Sequence, residues 1–142
     1  MHGLYQEKLL AWARTARAFD APAKDGLYIA KRNPVCGDEV RLSLTLTQDK
    51  ISHIGMDVRG CALCEAGAGL FGHLVQGADI SHLNQLSDDI AAFLADKQAL
   101  PFDPALSCLT PVKAVSNRHK CVTLSFEAGR ALGEDYTHPK KP

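Results

Sequence analysis

Hydrophobic positions recur along this chain in two rhythms. Over residues 40–47, Val40, Leu42, Leu44 and Leu46 alternate with Arg41, Ser43, Thr45 and Thr47. One face is apolar and the other polar, the period of a half-buried strand. Gln48, Asp49 and Lys50 read as a turn. Residues 51–58 then read as a second strand, with Ile54, Met56 and Val58 on one face. The pair predicts an antiparallel hairpin. A shorter strand is expected at 27–30, ahead of Asn33-Pro34.

The second rhythm is helical. Residues 2–17 set Leu4, Leu9, Trp12, Ala13 and Ala16 among Gln6, Glu7, Lys8, Arg14 and Arg17, which predicts a helix with one apolar face. Asp20, Pro22, Asp25 and Gly26 mark the loop after it. Residues 62–75 are rich in Ala and Leu and predict a helix that Gly77 ends. Asp79 and Ser87 are expected as helix caps, Ser87 opening the run that carries Ile90, Phe93 and Leu94. Pro101 and Pro104 mark a loop. A short helix is expected over 105–115, interrupted or begun near Pro111. A last helix is expected over 122–132, followed by a flexible tail from 134 to 142.

A chain of 142 residues suits one compact domain with a core that needs no disulfides. Basic and acidic residues balance at 16 each, so the strongly basic footprint of a nucleic-acid binder is absent. No apolar run approaches the roughly 20 residues of a membrane helix. The charged, amphipathic N-terminal segment does not read as a secretory signal, and the expected compartment is cytoplasmic. Cysteines there stay reduced, and an odd count of five argues against a closed disulfide framework.

Three of those cysteines fall in loops beside predicted element ends. In Asn33-Pro34-Val35-Cys36-Gly37-Asp38, proline stiffens the chain before the thiol and glycine lets it turn afterwards, so Cys36 and Asp38 can aim at one point. The same letters also suit a turn with an incidental thiol. Gly60-Cys61-Ala62-Leu63-Cys64 puts Cys61 where a strand gives way to a helix, a place that lowers a thiol's pKa. Cys64 reads as a small residue packing in the first helical turn. Arg118-His119-Lys120-Cys121 sets basic side chains beside a thiol at another helix start. Together, Cys36, Asp38, Cys61 and Cys121 complete a tetrahedral shell for zinc or iron. A closed structural site usually shows two tight ligand pairs, so a shell with one oxygen suggests exchange of metal or acceptance of sulfur. Cys108, in Leu106-Ser107-Cys108-Leu109, reads as an inert core thiol.

These motifs resemble the U-type iron–sulfur scaffold family, comprising IscU, SufU and the N-terminal domain of NifU, from the first helix to about residue 133. The chain is more similar to SufU-like members. Cys61 and Cys121 are widely separated, Lys120 precedes the last cysteine, and Arg118 holds the basic position before it. The resemblance implies an α+β fold: a small antiparallel sheet of about three strands, flanked by helices, with the site at one end. It assigns Cys36, Asp38, Cys61 and Cys121 to one centre, with Arg118 beside it. Cys64 departs from the family pattern and is a possible extra thiol at the metal. Leu109-Thr110-Pro111-Val112-Lys113 resembles a chaperone-binding motif of the family but lies too far before Cys121.

Two functions follow from the resemblance. In one, a cysteine desulfurase delivers sulfur to Cys61 or Cys121 at a zinc-bound centre. In the other, a transient [2Fe–2S] cluster forms on the four residues and passes to apoprotein or carrier recipients, an oxygen ligand keeping it labile. Either way the expected role is a scaffold or zinc-dependent sulfur acceptor rather than a classical enzyme. A structural zinc-binding adaptor without sulfur chemistry is the alternative of a different class.

Overall fold

The computed structural model describes residues 3–97 and 103–137, apart from the side chain of Leu4. Strands β1 (Leu27–Arg32), β2 (Glu39–Thr47) and β3 (Lys50–Arg59) form one antiparallel sheet in the order β1-β2-β3. Val40, Leu42 and Leu44 pair with Val58, Met56 and Ile54, so one face of the sheet meets the core, as the alternation requires. The turn between β2 and β3 is two residues, Gln48 and Asp49, both at positive φ. A bulge between Thr45 and Leu46 leaves Ser52 outside the register and pairs Leu46 with Ile51. That extra residue resets the side-chain phase and buries Ile51, which strict alternation from Ile54 would have turned outward.

Helices α1 (Gly3–Arg17), α2 (Ala62–Val75), α3 (Leu83–Leu94) and α4 (His119–Thr137) complete the α+β fold. Short 3₁₀ helices lie at Ile80–His82, Pro104–Ala114 and Ser116–Arg118. α2 is buried on nearly every side because α1, α4 and β3 all pack on it. Its glycines permit this. A Cβ at Gly67 would strike the Val122 carbonyl of α4, and one at Gly69 would strike the Trp12 carbonyl of α1. Phe71 meets Phe126 edge-on, with ring centroids 5.5 Å apart. Trp12 lies against the His73 ring at 5.0 Å, and Arg17 clasps Glu65 with two hydrogen bonds of 2.6 and 2.9 Å.

Four expectations shift. Ser87 caps nothing: it is buried within α3, which begins at Leu83 on the last 3₁₀ residue rather than at a polar cap. Asp79 does cap, accepting from the Ser81 N–H at 2.9 Å. The segment around Pro111 is a continuous 3₁₀ helix, capped by Asp103 and opened by Pro104; its buried Leu109 and Val112 explain the apolar string there as core packing. α4 is longer than expected at both ends. It starts at His119, whose ring is held by the Val112 and Lys113 carbonyls, and it runs to Thr137. Residues 134–137 of the expected tail are therefore helical, with the Tyr136 hydroxyl bonded to Asp49. Residues 138–142 and the loop at Pro101 lie outside the described residues. No helix among the described residues is long and apolar enough to cross a membrane.

The glycine contacts set a test. Alanine would gain about 1 kcal/mol of intrinsic helix preference over glycine. At position 69 the overlap with the α1 backbone outweighs that gain, so Gly69→Ala is expected to lower unfolding stability by about 1–3 kcal/mol in a denaturant titration.

Candidate metal centre

Three connections at one end of the sheet supply the candidate ligands. The first joins β1 to β2. Asn33 N–H donates to the Asp38 carbonyl and Gly37 N–H to the Asn33 carbonyl, both at 2.8 Å, and Asn33 Oδ1 accepts from Val35 N–H at 3.1 Å. Gly37 holds φ +78°, a left-handed conformation in which a side chain is strained. This tight loop leaves Cys36 exposed and turns Asp38 inward, to 7% exposure.

The second connection joins β3 to α2. Cys61 is the N-cap of α2 and is half-buried. Gly60 before it has a role that the sequence reading did not assign. A Cβ there would fall 2.8 Å from Asp38 Cγ, so the missing side chain makes room for the carboxylate. A glycine directly preceding a candidate ligand was the available signal. The third connection leads from the Ser116–Arg118 turn into α4, and Cys121 lies buried in the first turn of that helix.

Cys36 Sγ, a carboxylate oxygen of Asp38 and Cys121 Sγ all lie within 4.8 Å of one another. Cys61 Sγ–H points to Asp38 Oδ2 at 3.8 Å, and the Cys61 thiol neighbours that of Cys121. The backbone thus brings Cys36, Asp38 and Cys121 into one three-donor group, while Cys61 lies outside that group and meets it at Asp38. Cys64 joins them as a buried neighbour, and its thiol feels the charges of Asp38, Cys61, Cys121 and Cys36. Cys108 sits instead in the Pro104–Ala114 helix, donating to the Ala105 carbonyl at 3.4 Å.

His119 and Lys120, before Cys121, do not gather round its thiol as expected. His119 bonds backbone carbonyls, Lys120 reaches Glu127 at 3.4 Å, and Arg118 is exposed. The helix begins at His119, so successive side chains fan out by about 100° each. Among the described residues, no lysine, arginine or histidine pairs with the buried Asp38. The N-termini of α2 and α4 add positive potential at Cys61 and Cys121. Even so, the Cys121 thiol is pushed up from 9.0 to about 12, first by burial and then by its neighbours Cys61, Asp38 and Cys36. Cys64 is pushed up further, again by burial first. Sulfur and oxygen donors in this mixture suit zinc or iron, and a cation there would supply positive charge to the thiols.

A family model for the NifU-like N-terminal domain matches residues 14–114, a span that includes Cys36, Asp38 and Cys61 and stops before Cys121. The chain is 27% identical over 109 residues to the zinc-dependent sulfurtransferase SufU of Bacillus subtilis (strain 168), covering 73% of this chain and 72% of that protein. In fold it is similar to the N-terminal NifU-like protein of Brucella abortus, with a TM-score of 0.85 at 20% identity over 96% of both chains. It is also similar to a SufU of Fervidobacterium islandicum AW-1, named for iron–sulfur cluster assembly in the SUF system. There the TM-score is 0.78 at 20% identity, over 88% of this chain and 93% of that one.

Two outcomes follow from the electrostatics and packing. In metal-free protein the native state keeps thiol protons that the denatured state releases above the ordinary thiol value. Stability is therefore complete below that value and falls as pH rises toward about 12. Thermal unfolding of the metal-free chain, followed from about pH 8 to about pH 10, is expected to show a falling midpoint, with a shallower fall in Cys121→Ala. Gly60→Ala is expected to displace the Asp38 carboxylate and weaken zinc binding about ten- to hundred-fold in a chelator competition.

Proposed function

Because this chain belongs to the NifU-like N-terminal domain family, we propose that it is an iron–sulfur cluster assembly protein that accepts sulfur from a cysteine desulfurase at a zinc centre. One observation carries the reading: donors from three separate connections converge, with Cys36, Asp38 and Cys121 within 4.8 Å and Cys61 3.8 Å from Asp38. Cys36, Asp38, Cys61 and Cys121 would hold the ion, which when bound supplies the positive charge that keeps the thiols ionised. The SufU relative, itself named a zinc-dependent sulfurtransferase, supports the choice of metal and of chemistry.

Exposure ranks the sulfur acceptors. Cys121 is 3% exposed, Cys61 is half-buried and Cys36 stands free on its loop. A persulfide carried on a partner's cysteine meets Cys36 first. The Cys36 thiolate attacks the outer sulfur, the S–S bond of the donor breaks, and the donor leaves as a thiolate. Cys36 therefore ranks ahead of Cys61 and Cys121, which sequence reasoning favoured. Val35 beside it is 92% exposed, next to a groove of about 230 Å³ that Lys31, Pro34, Lys120 and Leu124 line. These residues are a landing surface for the desulfurase.

A second reading uses the same residues to assemble a [2Fe–2S] cluster as cargo for apoprotein recipients. The inward-turned Asp38 favours it, because an oxygen donor releases a cluster more readily than a thiolate does. The exposure of Cys36 counts against a purely structural zinc adaptor, whose ligands are normally closed off.

Purified protein should contain about one zinc per chain. With a cysteine desulfurase and cysteine it should accelerate alanine release and carry persulfide at Cys36, located by mass mapping. Cys36→Ser should abolish that label. A visible-absorbing cluster on adding ferrous iron, without faster desulfurase turnover, would favour the scaffold. Neither response would leave the adaptor.

A further inference from the structure

Cys64 is the one thiol at this centre that the four-donor set leaves over. It follows Cys61 by three residues, and the two occupy the N-cap and third helical positions of α2. Side chains at those positions are neighbours, which is why capping boxes join them. In helical geometry their Cα atoms lie about 5 Å apart, inside the span that a disulfide bridges. Their exposures are graded: Cys61 is half-buried and reachable from solvent, whereas Cys64 is 1% exposed and lies behind it. Reactive dithiols at helix N-termini share that division, with an outer attacking sulfur and an inner resolving one.

We propose that Cys61 and Cys64 form a dithiol that small disulfides oxidise to an intramolecular disulfide, withdrawing Cys61 from the metal centre. The exchange balances in two steps. The Cys61 thiolate attacks one sulfur of the oxidant, forming a mixed disulfide and expelling one thiolate. Cys64 attacks the Cys61 sulfur, closing the Cys61–Cys64 bond, and its proton passes to the second thiolate as that group is expelled. Two protein thiols are oxidised and one small disulfide is reduced to two thiols. Cys36 and Cys121 are the competing resolving thiols. Both come from other connections and belong to the donor set, whereas Cys64 shares a helical turn with Cys61 and stays free when the set is filled. Withdrawal of zinc rests on the reading that Cys61 is a ligand; formation of the disulfide does not.

The test uses the full chain, zinc-loaded and metal-free, with oxidised glutathione. Wild-type protein is expected to lose two hydrogens in intact mass without a lasting glutathione adduct, and peptide mapping should link Cys61 to Cys64. Zinc release, read with a chromophoric chelator, should keep pace with that bond and reverse with dithiothreitol. Cys64→Ser and Cys64→Ala, checked for native far-UV circular dichroism, should each accumulate a glutathione adduct on Cys61. A disulfide mapped to Cys61–Cys121, Cys36–Cys61 or Cys36–Cys121, or equal adduct levels in wild type and both variants, would overturn the dithiol. Zinc retained while the Cys61–Cys64 bond forms would overturn the withdrawal, and with it the membership of Cys61 in the centre.

Discussion

The contact on which this architecture turns is the close approach of α2 to α4, where Gly67 lies against the backbone of Val122. Val122 is the residue next to Cys121, and Gly67 lies less than two turns from Cys61. Bringing the two backbones together at that point brings the two helix starts together as well. A side chain at Gly67 would push them apart, and the sulfur atoms with them. The buried glycines of α2 thus act on the chemistry at its N-terminus. The hairpin loop then only has to reach across with Cys36 and Asp38, and Gly60 leaves the space where the carboxylate enters.

Gathering several acidic groups around an Asp38 that, among the described residues, has no ion-pair partner is costly in a folded protein. Here that cost is held off by protonation: burial and mutual repulsion keep the Cys121 thiol neutral well above its ordinary range. An ion taken up by these thiols would therefore displace their protons, so that its binding would depend on pH.

Much of this was legible in the sequence because local chemistry and tertiary structure agree there. Alternation at 40–47 fixed the central strand and its buried face, and a proline and glycine around Cys36 marked the loop that carries two donors. Where the reading slipped, a non-local contact decided. The bulge at Ser52 reset the phase of β3, and no residue type announces it. Ser87 has the composition of a cap, yet burial between α3 and its neighbours claimed it. The true start of α4 depends on carbonyls of Val112 and Lys113 that accept from a distant imidazole. Spacing alone could propose that Cys36, Asp38, Cys61 and Cys121 meet, but it carried no information about which thiol faces outward.

The single tryptophan has a use that follows from where it lies. Trp12 packs on His73, and its carbonyl sits over Gly69, so the indole marks the seam between α1 and α2. Its emission is a built-in gauge of whether that seam is closed. Because α2 carries Cys61 at its head, a spectroscopic signal from α1 reports whether the helix that aims that sulfur is seated.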